Sequence, residues 1–165
     1  MRFCSFCLKD NWQPRLGLQN GAKILDLSAA AKIADRPHLD MKSALEFWKD
    51  TLDWVSSLDV SQVPAFKAGD VILQPLLKRA SSFRDFYAFE QHVKTARSNR
   101  GLAMIEEWYE MPVFYFSNPA VIHADYADVS IPPLSQWMDY ELEIGAIIGQ
   151  EINDLTIENA EEAIA

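Results

Sequence analysis

Asn20-Gly21 is the dipeptide that most constrains this chain, because it joins two short runs, residues 14–19 and 22–27, that are apolar or alternating. In that setting Asn-Gly favours the positive φ values of a tight type I′ turn and predicts a β-hairpin. A third strand-like run, residues 2–8, precedes it. The pattern then changes: Ala44, Leu45, Trp48, Leu52 and Val55 fall at helical spacing and predict one amphipathic helix over 41–58. Residues 63–70 read as a linker, and the apolar 71–77 as a further strand. The first domain is therefore expected over residues 1–75, β-rich with one or two helices.

The 165 residues suffice for one domain, or for one domain with a small appendage, and 49% of them are hydrophobic, enough for a sizeable core. A net charge of −9 argues against a nucleic-acid partner, which wants a basic face for its phosphates. No apolar run approaches the ~20 residues of a membrane span. The opening Met1-Arg2-Phe3-Cys4 lacks the apolar core of a signal peptide, so the expected compartment is the cytoplasm. Cys4 and Cys7 spell CxxC, but no second ligand pair accompanies them; two small buried thiols are expected, not a zinc half-site or a redox pair.

The second domain, residues 76–165, is expected to open with a helix over 83–99, on which Phe86, Phe89, Val93 and Ala96 recur at three and four and Ser82 caps the start. Residues 111–117 read as a strand halted by Asn118-Pro119, with further strands at 129–131 and 140–148. Thr156 opens a helix that runs to the last residue.

Two places carry chemistry. In a strand, Glu141 and Glu143 share a face with Cβ atoms about 6–7 Å apart, ahead of the apolar Gly145-Ala146-Ile147-Ile148. Two carboxylates at the end of a buried strand repel, so one protonates or a cation sits between them, and oxygen-only donors suit magnesium, calcium or manganese. A solvated edge-strand face is the plainer alternative. Asp85 and His92 are seven apart, so on a helix they share a face, with Tyr87 near the same cleft. A neutral His92 would serve there as a general base. The plainer reading is that Asp85 assists the helix cap and His92 packs beneath the aromatics.

The segments Arg84-Asp85-Phe86-Tyr87-Ala88-Phe89-Glu90-Gln91-His92-Val93, Met111-Pro112-Val113-Phe114-Tyr115-Phe116-Ser117-Asn118-Pro119 and Asp139-Tyr140-Glu141-Leu142-Glu143 resemble the fumarylacetoacetate hydrolase family, in its order and spacing. Ile24-Leu25-Asp26-Leu27-Ser28-Ala29-Ala30 is similar to its N-terminal domain. The resemblance implies an α+β, β-rich fold: a small N-terminal β-barrel-like domain, then the beginning of a mixed β-sandwich or roll. It implies metal-assisted hydrolysis of a carbon–carbon bond in a β-diketo acid of fumarylacetoacetate or acylpyruvate type, as in aromatic amino acid catabolism. Asp85, Glu141 and Glu143 match the metal carboxylates, for Mg2+ or Ca2+ with Mn2+ as a further candidate. His92 matches the histidine that activates water, and Tyr87 and Tyr115 match substrate-contacting tyrosines. Arg100 matches the substrate arginine across a one-residue gap, with Arg97 as its alternative. A homodimer is implied as well.

One departure bears on all of this. The family's fourth metal ligand, in an Asn-Asp-Trp-Ser-Ala-Arg-Asp type motif, and the acid that pairs with the histidine have no match before Ala165. A fragment or truncated product is therefore expected, inactive and weak in metal binding. Two alternatives stand beside hydrolysis: a decarboxylase, hydratase or isomerase of related keto acids, and a non-catalytic assembly or binding domain.

Overall fold

The computed structural model describes all 165 residues, and the chain divides into two compact units, Met1–Leu77 with His123–Ala165, and Lys78–Ile122. The class is α+β and β-rich.

In the first unit, β1 (Phe3–Leu8), β2 (Asn11–Asn20), β3 (Lys23–Asp26), β4 (Ala65–Lys67) and β5 (Val71–Gln74) form one antiparallel sheet in the order β4-β3-β2-β1-β5. The sheet is open and does not close into a barrel. Alternation along β1 sorts its side chains between two cores. Phe3 joins Leu16, Leu27, Met41, Ala44 and Val55 on one face, while Cys4, Phe6 and Leu8 pack with Ile24 and Val71 on the other. Gly17 faces the second cluster, where a Cβ would lie 2.7 Å from Ile24 Cγ2 and 2.8 Å from Cys4 Sγ. Pro14, which has no N–H to give, falls where the β1–β2 register shifts between Phe6 and Leu8.

Cys4 and Cys7 are both free thiols, and their odd separation puts them on opposite faces of β1. They therefore cannot bind one ion together while the strand persists. Gln74 Nε2 donates to Cys7 Sγ at 3.4 Å, and burial pushes the Cys4 thiol up to about 11.

The hairpin forms one residue along from the expected turn. Asn20 pairs with Lys23, leaving Gly21-Ala22 as the loop, and Gly21 has φ +60°. Glycine in the first loop position is the type II′ pattern, not the I′ pattern expected from Asn20-Gly21.

The expected helix over 41–58 is two helices, α2 (Met41–Glu46) and α3 (Trp48–Ser57), broken at Phe47 with φ −127° and ψ 49°. A capping box starts α2: the Ser43 N–H donates to Asp40 Oδ1 at 2.8 Å and the Asp40 N–H to Ser43 Oγ at 2.9 Å. Partial burial raises the Asp40 carboxyl, but hydrogen bonds from Ser43 and the nearby His38 together bring it below its ordinary value. The break turns Trp48 edge-on to Phe3, with ring centroids 5.0 Å apart. Residues 63–70 are not merely a linker, since β4 pairs with β3 through Ile24↔Phe66 and Leu25↔Ala65.

Helix α1 (Leu27–Ile33) begins at Asp26, whose Oδ1 accepts from the Ala29 N–H at 2.9 Å. Asp26 is 1% exposed. Its other oxygen accepts from Arg15 Nε at 2.8 Å and from Nη2, so the buried charge is paired.

Residues 123–165 depart most from expectation. They hold no regular strand or α-helix, only a 3₁₀ turn, Ala160–Ala163, and an isolated bridge, Ile148↔Ile164. The expected strands at 129–131 and 140–148 are absent, and Leu142 and Ile144 are 96% and 99% exposed. An apolar run becomes a strand only where another segment offers its edge, and here only Ile148 meets one, at Ile164. Thr156 does not cap a helix: its own N–H donates to Asn159 Oδ1 at 2.8 Å.

The second unit comprises β6 (Arg84–Phe86), α4 (Glu90–Asn99), α5 (Glu107–Glu110) and β7 (Phe114–Phe116), with β6 and β7 antiparallel. The expected helix over 83–99 thus starts seven residues late. Its first part is a strand because Arg84, Asp85 and Phe86 find partners in Phe116, Tyr115 and Phe114. Ser82 is no cap; its hydroxyl accepts from Arg84 Nη1 at 3.1 Å. The helix anchors through Val93, which is 1% exposed. It ends in a Schellman motif, in which Leu102 N–H donates to Arg97 O and Gly101 N–H to Ser98 O, both at 2.9 Å, with Gly101 at φ +72°.

Candidate metal and substrate site

Alternation sorts the β6–β7 ribbon into two faces. Phe86 and Phe114 sit cross-strand with ring centroids 5.3 Å apart, Phe114 meets Phe116 at 5.0 Å, and the Arg84 guanidinium lies over both Phe114 and Phe116. Asp85 and Tyr115 are register partners and share the opposite face. Asp85 is half-buried, and Tyr115 is exposed. The ladder reaches one residue further, since Tyr87 N–H donates to Val113 O at 2.9 Å. Tyr87 therefore follows Asp85 on the same face.

His92 stands in the first turn of α4, and its ring meets Tyr87 edge-on at 5.5 Å between centroids. The expected geometry, with Asp85 and His92 two turns apart on one helix, does not hold, because Asp85 is on a strand and only His92 is helical. His92 is exposed and is not packed beneath the aromatics; it meets Tyr87 at an edge. Of the two arginines, Arg100 is the exposed C-cap of α4, whereas Arg97 Nε donates to the Ala103 carbonyl and ties down the loop after the helix.

Trp108 was not foreseen. Its Nε1–H donates to the Tyr87 carbonyl at 2.8 Å and fixes the backbone next to the Tyr87 side chain. The sequence carried no signal for it, because the short α5 has no periodicity to read. Glu90 was missed likewise: it accepts from Lys94 at 2.6 Å and from the Tyr109 hydroxyl at 2.7 Å. Those bonds hold its carboxyl below the ordinary value and raise Lys94 and Tyr109 above theirs.

In the first unit, Glu141 and Glu143 are exposed, and their carboxylate oxygens come within 4.8 Å of one another. They do so without the strand that spacing predicted. Two hard oxygen donors at that separation fit a divalent cation such as Mg2+ or Ca2+ in donor chemistry, since one ion relieves the repulsion of both.

The sequence profile of the Fumarylacetoacetate (FAA) hydrolase C-terminal family matches residues 81–165, a stretch containing Asp85, Tyr87, His92, Arg100, Tyr115, Glu141 and Glu143. No curated protein matches the chain. Among solved structures, the fold is similar to a crystal structure of a protein described as HpcE from Mycobacterium smegmatis. The two are 15% identical with a TM-score of 0.66, and the match covers 99% of this chain and 52% of that one. The chain thus spans about half the length of the structure it resembles. No helix is long and apolar enough to cross a membrane. With the profile matching more than half of its residues, the chain belongs to the fumarylacetoacetate hydrolase family.

Proposed function

We propose that the chain carries the metal-binding and proton-handling residues of a divalent-metal-dependent hydrolase that cleaves a carbon–carbon bond in a β-diketo acid, of fumarylacetoacetate or acylpyruvate type. The observation that carries this reading is the family match over 81–165, which takes in every one of the sequence-predicted site residues in a single stretch. The closeness of Glu141 and Glu143 supports it.

In this reading Asp85, Glu141 and Glu143 would hold Mg2+ or Ca2+, with Mn2+ as a further candidate, and the bound ion would supply Lewis-acid polarisation of the diketone. Tyr87 and Tyr115 orient the substrate through their hydroxyls, and Arg100 pairs with its carboxylate. His92 takes a proton from water as the water oxygen bonds to the ketone carbon. It returns that proton to the carbon that leaves with the electron pair of the broken bond. Trp108 keeps Tyr87 in place for this. The working unit is a cytoplasmic homodimer, with domains at 1–75 and 76–165 and no nucleic-acid or membrane partner.

Because this segment by itself is expected to be inactive, the reading is tested in a longer enzyme that contains it, by following an acylpyruvate's ultraviolet absorbance with Mg2+ present. Glu141→Ala should abolish metal-dependent loss of absorbance. His92→Ala should stop hydrolysis while leaving Mn2+ binding within about twofold. Turnover unchanged by Glu141→Ala, or hydrolysis retained in His92→Ala, would remove those residues from their roles.

A further inference from the structure

A cleft of about 460 Å³ in the first unit, bounded by β2 and α1, is lined by none of the candidate metal or substrate residues. Arg15, Lys32, Arg36 and His38 line it, with the apolar Pro14 and Ile33, and no carboxylate does. That is an unusual concentration of basic groups for a chain of net charge −9.

Two of these groups are held in place by the fold. The Arg15 guanidinium is fixed by Asp26, whose remaining oxygen is committed to the Ala29 N–H. Arg36 is fixed by the way α1 ends: its N–H donates to Ala31 O at 2.9 Å and the Asp35 N–H donates to Lys32 O at 3.2 Å. This is a Schellman closure with Asp35 at φ +52°, a left-handed conformation normally left to glycine. An aspartate tolerates it better than most residues but still pays in strain. The turn places the Arg36 guanidinium over the Trp54 ring, 4.9 Å from its centroid. Stacking there orients the planar fork while leaving its N–H donors available.

The nearest acids offset two of the four basic groups and leave Lys32 and Arg36. Asp26 is paired to Arg15, Asp40 is engaged by the Ser43 N–H and hydroxyl and interacts electrostatically with His38, and the exposed Asp35, which precedes Arg36 in the turn, is not among the lining residues. With Arg15 offset by Asp26 and any charge on His38 offset by Asp40, Lys32 and Arg36 remain as the net positive groups lining the cleft. The volume falls in the range of small-molecule sites, roughly 300–1,000 Å³.

We infer that this cleft binds a small dianion, a phosphate monoester or a dicarboxylate, through Lys32 and the stacked Arg36, with Pro14 and Ile33 against its carbon skeleton. The inference is independent of the proposed hydrolase site, since none of its residues belongs there.

Titration calorimetry of the full chain with inorganic phosphate and, separately, with succinate tests it, acetate serving as the monoanion control. At least one dianion should bind saturably and at least tenfold more tightly than acetate, and whichever binds more tightly identifies the source. Lys32→Gln, an exposed change that should keep the fold, and Lys32→Gln/Arg36→Gln should weaken binding progressively, the double variant at least tenfold. Lys42→Gln, outside the cleft, should have no effect. Absence of saturable binding by both dianions, equal binding of acetate, or full affinity in Lys32→Gln with native circular dichroism would overturn the inference.

Discussion

Strand β1 and residues 140–148 are similar in length and apolar character, and they meet opposite fates in one compact unit. β1 is hydrogen-bonded along both edges, to β2 and to β5, and puts Phe6 and Cys7 wholly out of solvent. Residues 140–148 enter β-pairing only at the Ile148↔Ile164 bridge, and the side chains of Tyr140, Leu142 and Ile144 stand in water. The difference lies in the neighbours. Ladder bonds and an apolar face to lie on both come from other segments, so a strand-like pattern states a capacity that the surroundings either use or leave unused.

The contrast can be broken most forcefully in β1. Phe6→Ala removes a side chain packed against Ile24, Val71 and Phe66 and should cost roughly 3–5 kcal/mol in urea denaturation, whereas a loss below about 1 kcal/mol would mean that this core carries little of the fold.

Cys4 sharpens the comparison from the same strand. Burial raises its pKa from 9.0 to about 11, so alkylation by iodoacetamide at pH 8 should run roughly a hundredfold slower than for a free thiol, with its midpoint near pH 11. Because the folded thiol keeps its proton longer than the unfolded one, the unfolded chain binds fewer protons between pH 9 and 11, and stability should fall across that window. An alkylation midpoint near 9 would show Cys4 open to water.

At the small end, Leu142→Ser and Ile144→Ser should each change stability by no more than about 0.5 kcal/mol, because neither side chain is packed. A loss above about 1 kcal/mol would place the run against a partner and erase the contrast with β1.

Legibility in the sequence followed the same line. The front hairpin was readable because its signal is local: alternation, a tight turn and a short return. Even so, the turn landed on Gly21-Ala22, since register is decided by the whole β2–β3 ladder and not by one dipeptide. Helix α4 was readable from Val93 and Ala96, but its apparent start at 83 was not, because pairing of 84–86 with 114–116 overrode helical spacing. The break at Phe47 was likewise hidden, as both halves keep one apolar period. For the site, motif and spacing singled out Glu141 and Glu143, and the oxygens do approach, though without the strand that prompted the expectation. Trp108 and the Arg36 turn arise from tertiary contacts that no linear pattern records.

The central claim is that Asp85, Glu141 and Glu143 hold one divalent cation. Its most direct test is a Mn2+ titration followed by electron paramagnetic resonance, with Mg2+ competition, on the wild-type chain and on Glu141→Gln. The account predicts one saturable site that Mg2+ displaces and whose affinity falls at least tenfold in Glu141→Gln. Equal Mn2+ binding in the two proteins would contradict it.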